Sequence, residues 1–81
     1  MARSPFHPAY AEFIAGVVEA RRAAGLTQVQ LAERLSKPQS WVSKIERLER
    51  RLDVLEFCDV ARALGLRPAA LMQRIERKLS P

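Results

Sequence analysis

The side chains of this chain that could do chemistry are few, and most fall in one stretch: Gln39, Ser40, Ser43, Lys44, Arg47, Arg50 and Arg51. These types at this spacing make neither a nucleophile–base pair nor a ligand set. The chain has one histidine, His7, and one cysteine, Cys58, so neither a disulfide framework nor a Cys/His metal site can be assembled within it. It has no Gly-rich phosphate loop and no pair of acids in an apolar setting, which makes an enzyme the remotest reading; no cofactor is expected. What Gln, Ser, Lys and Arg do together is donate hydrogen bonds and neutralise charge, the chemistry of binding a polyanion. A formal net charge of +5 and an isoelectric point near 10.4 point the same way, with nucleic acid ahead of a membrane surface. The plainer alternative is that the charge serves solubility alone.

The elements that must hold those residues are short. With 81 residues the chain is one small domain. A domain of this size buries only about 60% of its unfolded surface, so most apolar residues are needed for the core. The longest uncharged apolar run near the start, residues 13–18, is far below the roughly 20 residues that span a bilayer. Ser4, Pro5, His7, Pro8 and Glu12 interrupt any export signal, and a cytoplasmic location is expected. Residues 1–8 show no period and read as an irregular arm before a single all-α domain at 9–79. Arg3 in that arm could enter a minor groove, although a frayed end is the simpler reading, and His7 reads as part of the arm.

Five helices follow from spacing and punctuation. Tyr10, Phe13, Ile14, Val17, Val18 and Ala24 recur at helical intervals, placing a helix at 9–24 that stops at Gly25. Thr27 and Gln30 can form a capping box for a second helix with Leu31, Ala32 and Leu35 inward; Ser36, Lys37 and Pro38 break it. A third helix at about 38–47 turns Trp41, Val42 and Ile45 to one side and leaves Gln39, Ser40, Ser43, Lys44 and Arg47 elsewhere. Asp53 and Glu56 cap a fourth at 53–64 with Leu55, Val60, Ala61 and Leu64 as its buried stripe and Gly65 as its stop. Pro68 opens a fifth, with Leu71, Met72, Ile75 and Leu79 on one face, ending before Pro81. A rival reading is one rod from 39 to 64, since Trp41, Ile45, Leu48, Leu52 and Leu55 also follow a coiled-coil spacing; the Asp53 cap argues against it. Cys58 reads as a small buried hydrophobe.

Two short helices joined by a tight connection, the second showing small polar and basic side chains, make a helix-turn-helix. Its second helix fits a major groove of roughly 12 Å, where such side chains meet base edges. In residues and order the chain resembles the lambda repressor-like, or XRE, family. The resemblance rests on Arg21, then Gly25-Leu26-Thr27-Gln28, Leu31-Ala32, Gln39-Ser40, Val42-Ser43-Lys44-Ile45-Glu46-Arg47 and Ala63-Leu64-Gly65, within roughly residues 14–75. It implies a compact five-helix, sequence-specific regulator of transcription that binds double-stranded DNA, commonly as a repressor and as a homodimer on a palindromic operator.

Position by position, the resemblance gives Gln39, Ser40 and Lys44 the reading of bases, with Ser43 near a base edge or the backbone. Thr27 and Gln28 would anchor phosphate at a helix N-terminus. Arg21 and Glu46 would form an ion pair that turns Arg21 toward the DNA backbone. Arg47, Arg50 and Arg51 would follow along the phosphates, unless Arg50 instead pairs with Glu46 on a continuing helix. Two departures stand out. Leu48 occupies a position where the family usually has Gly, which would force a bulky residue into left-handed backbone, and Trp41 either packs on the core or meets a thymine methyl. Leu71, Ile75 and Leu79 are either core or a two-fold dimer surface. The competing class is a protein-interaction adapter or antitoxin-type module on the same scaffold, with weak DNA binding.

Overall fold

Punctuation decides where each helix begins and ends. The computed structural model describes residues 7–79. It comprises α1 (Pro8–Ala23), α2 (Gln28–Leu35), α3 (Gln39–Glu46), α4 (Val54–Ala63) and α5 (Pro68–Glu76). Arg3 and the rest of residues 1–6 lie outside the described residues. The end of the expected arm is already helical: Pro8 opens α1, and His7 Nδ1 accepts from the Ala9 amide at 3.0 Å as its cap. Both expected capping boxes form, Thr27 with Gln30 and Asp53 with Glu56.

The helix ends share one device. After each of α1 to α4 the chain enters the left-handed region, at Gly25, Ser36, Leu48 and Gly65, with φ of 76°, 55°, 64° and 77°. The next amide then bonds five residues back: Leu26 to the Arg21 carbonyl, Lys37 to Ala32, Glu49 to Lys44 and Leu66 to Ala61, at 3.2, 3.0, 2.7 and 2.9 Å. This satisfies carbonyls that a helix end leaves bare. Gly serves at two of the four turns, but Leu48 must hold the shape with a branched side chain. That turn also removes the single-rod alternative, because residues 47–53 leave the helix before α4 starts.

The core lies where the five helices meet, built from Ile14, Val17, Leu31, Val42, Ile45, Phe57, Val60, Leu71 and Ile75 among others. α2 packs on α3 and α4, α1 on α3 and α5, and α4 on α5. A Cβ at Gly16 would stand 2.8 Å from Ile75 Cγ1, so the missing side chain lets α5 close on α1. Lys78, two residues past the end of α5, forms an ion pair with Glu19 of α1.

Four sequence expectations about burial need correction, and one open alternative, core or dimer surface, falls to the core. Leu55 is not in the buried stripe of α4 but 77% exposed, and Phe57 takes its place inside. Met72 is 39% exposed rather than core-facing. Leu71 and Ile75 are fully buried within this one chain, against α1 and α4, so neither is free to make a dimer contact; Leu79 is half-buried against the same core. Ala24 is exposed and Cys58 half-buried.

Leu48 both bears a strained backbone and packs its side chain against the core. Replacing it by Gly therefore mixes relief with loss, and comparison with Ala separates the two. Leu48→Gly should be more stable than Leu48→Ala by about 1 kcal/mol, the reverse of the ordering inside a helix. Thermal melts of the two variants check this, and an equal or lower midpoint for the glycine form refutes the strain.

Candidate nucleic-acid interface

α3 is amphipathic in a way that divides its labour. Val42 and Ile45 are buried, while Gln39, Ser40 and Lys44 are exposed and Ser43 is half-buried. Its N-terminal residue before the first turn, Pro38, makes no side-chain cap, which leaves amides of the first turn open to solvent or ligand.

The other end of α3 is fixed by three hydrogen bonds, from two residues, to one carboxylate. Glu46 Oε2 accepts from Arg21 Nε at 2.7 Å, and Glu46 Oε1 accepts from Arg21 Nη2 at 3.1 Å and Gln28 Nε2 at 2.8 Å. Arg21 Nη1 also donates to the Leu26 carbonyl at 2.7 Å. Gln28 Oε1 in turn receives Gln39 Nε2 at 3.4 Å, the longest bond of the set. One acid thus ties α1, the start of α2 and α3 together. The Arg21–Glu46 pair is present, but Arg21 does not point to a ligand: the residue is only 7% exposed and its guanidinium bonds inward on both sides. Its expected contact with phosphate is withdrawn on that ground. Thr27 remains exposed while its hydroxyl accepts from the Gln30 amide, and Gln28 is half-buried.

The basic run after α3 divides as well. Arg47 is exposed and pairs with exposed Glu49 at 3.1 Å, a contact that solvent keeps weak. Arg50 does not pair with Glu46. It clasps Glu56 in a two-pronged pair at 3.0 and 2.8 Å, donates to the Arg51 carbonyl at 2.9 Å and lies 5.1 Å from the centre of the Trp41 ring. It braces the turn against α4 while its side chain stays 40% exposed, so the structure does not decide its expected phosphate contact. Arg51 is exposed, its guanidinium 4.7 Å over the Tyr10 ring, and the Tyr10 hydroxyl accepts from the Leu52 amide at 2.9 Å. Trp41 is half-buried and packs against the core, with Lys37 at 5.5 Å over its ring.

Sequence reasoning missed the Arg50–Glu56 clasp, the Gln28–Glu46 bond and the Arg34 guanidinium that reaches the Ala63 carbonyl at 2.8 Å. A basic residue six positions before an acid across a turn gives no periodic signal, and Glu56 was already accounted for by its capping box.

Two measurements probe these braces. Arg21→Met and Glu46→Leu should each cost about 3 kcal/mol, because either leaves a charge buried without its partner, and the double variant should cost clearly less than their sum. Additive losses in a double-mutant cycle would mean the pair is not coupled. The Arg50 guanidinium, followed by the Asp53 amide, holds the Glu56 carboxyl down at about 2 against its usual 4.5. A lowered folded-state pKa stabilises above the unfolded value and is lost as pH falls through the folded one. Stability should therefore decline between pH 4.5 and about 2. Glu56→Gln should flatten that part of the denaturation profile; an unchanged profile would detach Glu56 from it.

A helix-turn-helix family model matches residues 17–71. Among solved structures, an XRE-family like protein from Pseudomonas syringae pv. tomato str. DC3000 is 51% identical, with 85% of this chain aligned to 84% of that one at a TM-score of 0.78. The clp gene regulator ClgR from C. glutamicum shares the fold at 20% identity, over 93% of this chain and 97% of that one, with a TM-score of 0.78. No curated protein matches the chain. With α2 and α3 as its two helices, the chain belongs to the XRE family of helix-turn-helix proteins, whose fold is that of DNA-binding transcription regulators.

Proposed function

We propose that the protein is a sequence-specific transcriptional repressor that lays α3 in the DNA major groove and acts as a homodimer on a palindromic operator. The observation that carries this reading is the outer face of α3. Gln39, Ser40 and Lys44 are exposed there, while Val42, Ile45 and Glu46 fix the helix from behind. Gln and Ser donate and accept, and Lys donates, which suits the acceptor-rich edges of the major groove. Thr27 and Gln28 stand at the N-terminus of α2, beside Gln39, where amides and a partial positive charge favour a phosphate. Arg47 and Arg51, both exposed, add backbone contacts. The role is binding, not catalysis. No described helix is long and apolar enough to cross a membrane.

Selection from a pool of random duplexes tests the reading. The enriched sites should be two-fold palindromes with half-site centres about 10 bp apart. On such a site, Gln39→Ala and Lys44→Ala should each relax preference at one position per half-site, at a cost of about 1–3 kcal/mol. Arg47→Ala should leave preference intact and reduce the slope of log affinity against log salt by about 1 per protomer. Salt-sensitive binding without enrichment would overturn sequence recognition and favour an adapter that needs a protein partner.

A further inference from the structure

We infer that the cleft between the end of α2, one flank of α3 and α4 binds a small aromatic carboxylate. It lies to the side of the α3 face proposed above for DNA. Trp41 follows Ser40 by one residue and so stands about 100° from it around the helix, while Trp41 and Glu46 stand about 140° apart. Glu46 marks the flank that the buried ion pair closes. Trp41 marks the other flank, and there a cleft of about 430 Å³ stays open. That volume falls within the roughly 300–1,000 Å³ of small-molecule sites and has room for one or two rings.

The charge of the lining selects an anion. Arg34, Lys37 and Arg62 line the cleft together with Glu56 and Asp59. Glu56 is already neutralised by Arg50, and Asp59 meets Arg62 only at 3.9 Å, each more than half exposed. Neither Arg34 nor Lys37 pairs with a carboxylate among the described residues. Arg34 is also held in place. Its Nη1 donates to the Ala63 carbonyl at 2.8 Å, which leaves Nε and Nη2, the pair that grips both oxygens of a carboxylate side-on.

The rest of the lining selects a ring. Leu35, Trp41 and Ala63 supply apolar surface. A ring set against an indole gains more than its area alone, and an aliphatic acid of the same size lacks that gain. Lys37 stands exposed over the Trp41 ring, where its ammonium can take the second contact with the acid.

The consequence at DNA rests on the DNA-binding reading above. The acid would touch α2, the turn at Lys37 and α3 at once and set a negative charge beside a helix that faces phosphates. Bound acid therefore lowers affinity for DNA, and DNA lowers affinity for the acid by the same factor.

Titration of the full chain at low salt with benzoate and with indole-3-carboxylate tests the site, read by calorimetry and by the indole N–H resonance of Trp41, the single tryptophan. Each acid should saturate with a Kd of about 1 mM or tighter. Inorganic phosphate and neutral indole should bind at least about tenfold more weakly, and cyclohexanecarboxylate several-fold more weakly. Arg34→Gln should weaken both acids at least about fivefold, with its melting temperature measured alongside. Asp59→Asn should strengthen them, a gain that loss of structure does not produce. On the selected palindrome, about 10 mM indole-3-carboxylate should weaken binding at least about threefold relative to the same concentration of chloride, and Arg34→Gln should respond clearly less. The inference is overturned if neither acid saturates, if phosphate or indole binds as well, or if Arg34→Gln binds the acids as the wild type does. Saturable binding that leaves DNA affinity unchanged would keep the site and overturn its coupling to α3. If no duplex is enriched, the DNA reading falls while titration of the free protein still decides the site.

Discussion

A buried carboxylate between a guanidinium and an amide is the constraint on which this molecule turns. α3 has eight residues, about 12 Å of helix, too short to persist in water on its own. Its direction comes from Val42 and Ile45 in the core and from Glu46, which bonds α1 through Arg21 and α2 through Gln28. With side-chain exposures of 8% and 9%, both ions have left water almost entirely. Desolvation of that kind offsets much of the Coulomb attraction, and the added bonds to Leu26 and Gln28 keep the balance from turning against the fold. The pair does little for net stability and much for angle: it makes one orientation of α3 far better than its neighbours.

Arg50 performs a related task for the turn that follows. By holding Glu56, the Arg51 carbonyl and the Trp41 ring at once, it converts residues 47–53 from a tether into a rigid corner. Positive charge counted along the sequence therefore overstates positive charge offered to a ligand. Arg21 and Arg50 are engaged in ion pairs within the chain, and Lys37, Lys44, Arg47 and Arg51 are exposed near α3.

Much of the fold was legible because it is written in local signals. Thr27 and Asp53 with their partners three residues on, Gly25 and Gly65 as stops and Pro68 as a start are all chemistry between near neighbours. In the first turn of α4 the helical phase was misread. Leu55 looked like a member of the stripe of Val60, Ala61 and Leu64, but it stands five residues before Val60, whereas Phe57 stands three and four before Val60 and Ala61 and is the one inside. Ser36 gave no hint of left-handed backbone, whereas Leu48 did, through the family's usual glycine. An apolar stripe such as Leu71 and Ile75 looks the same whether it meets its own domain or another copy, and only packing tells them apart. At the site, the exposed positions of α3 were readable from helical phase and the Arg21–Glu46 pair from the resemblance, but the Arg50–Glu56 pair was not, since it joins two residues across a turn.

The uncapped start of α3 has an evolutionary side. Ser40 and Lys44 make no side-chain hydrogen bond or ion pair within the described residues, and Gln39 makes only a long bond to Gln28. Everything that aims the helix lies on its far face and at its last residue. Substitutions on the outer face are therefore nearly free of folding consequences, so mutation can explore what α3 touches while the scaffold stays as it is. Duplicated copies of such a chain could drift toward different targets one residue at a time, without passing through unfolded intermediates.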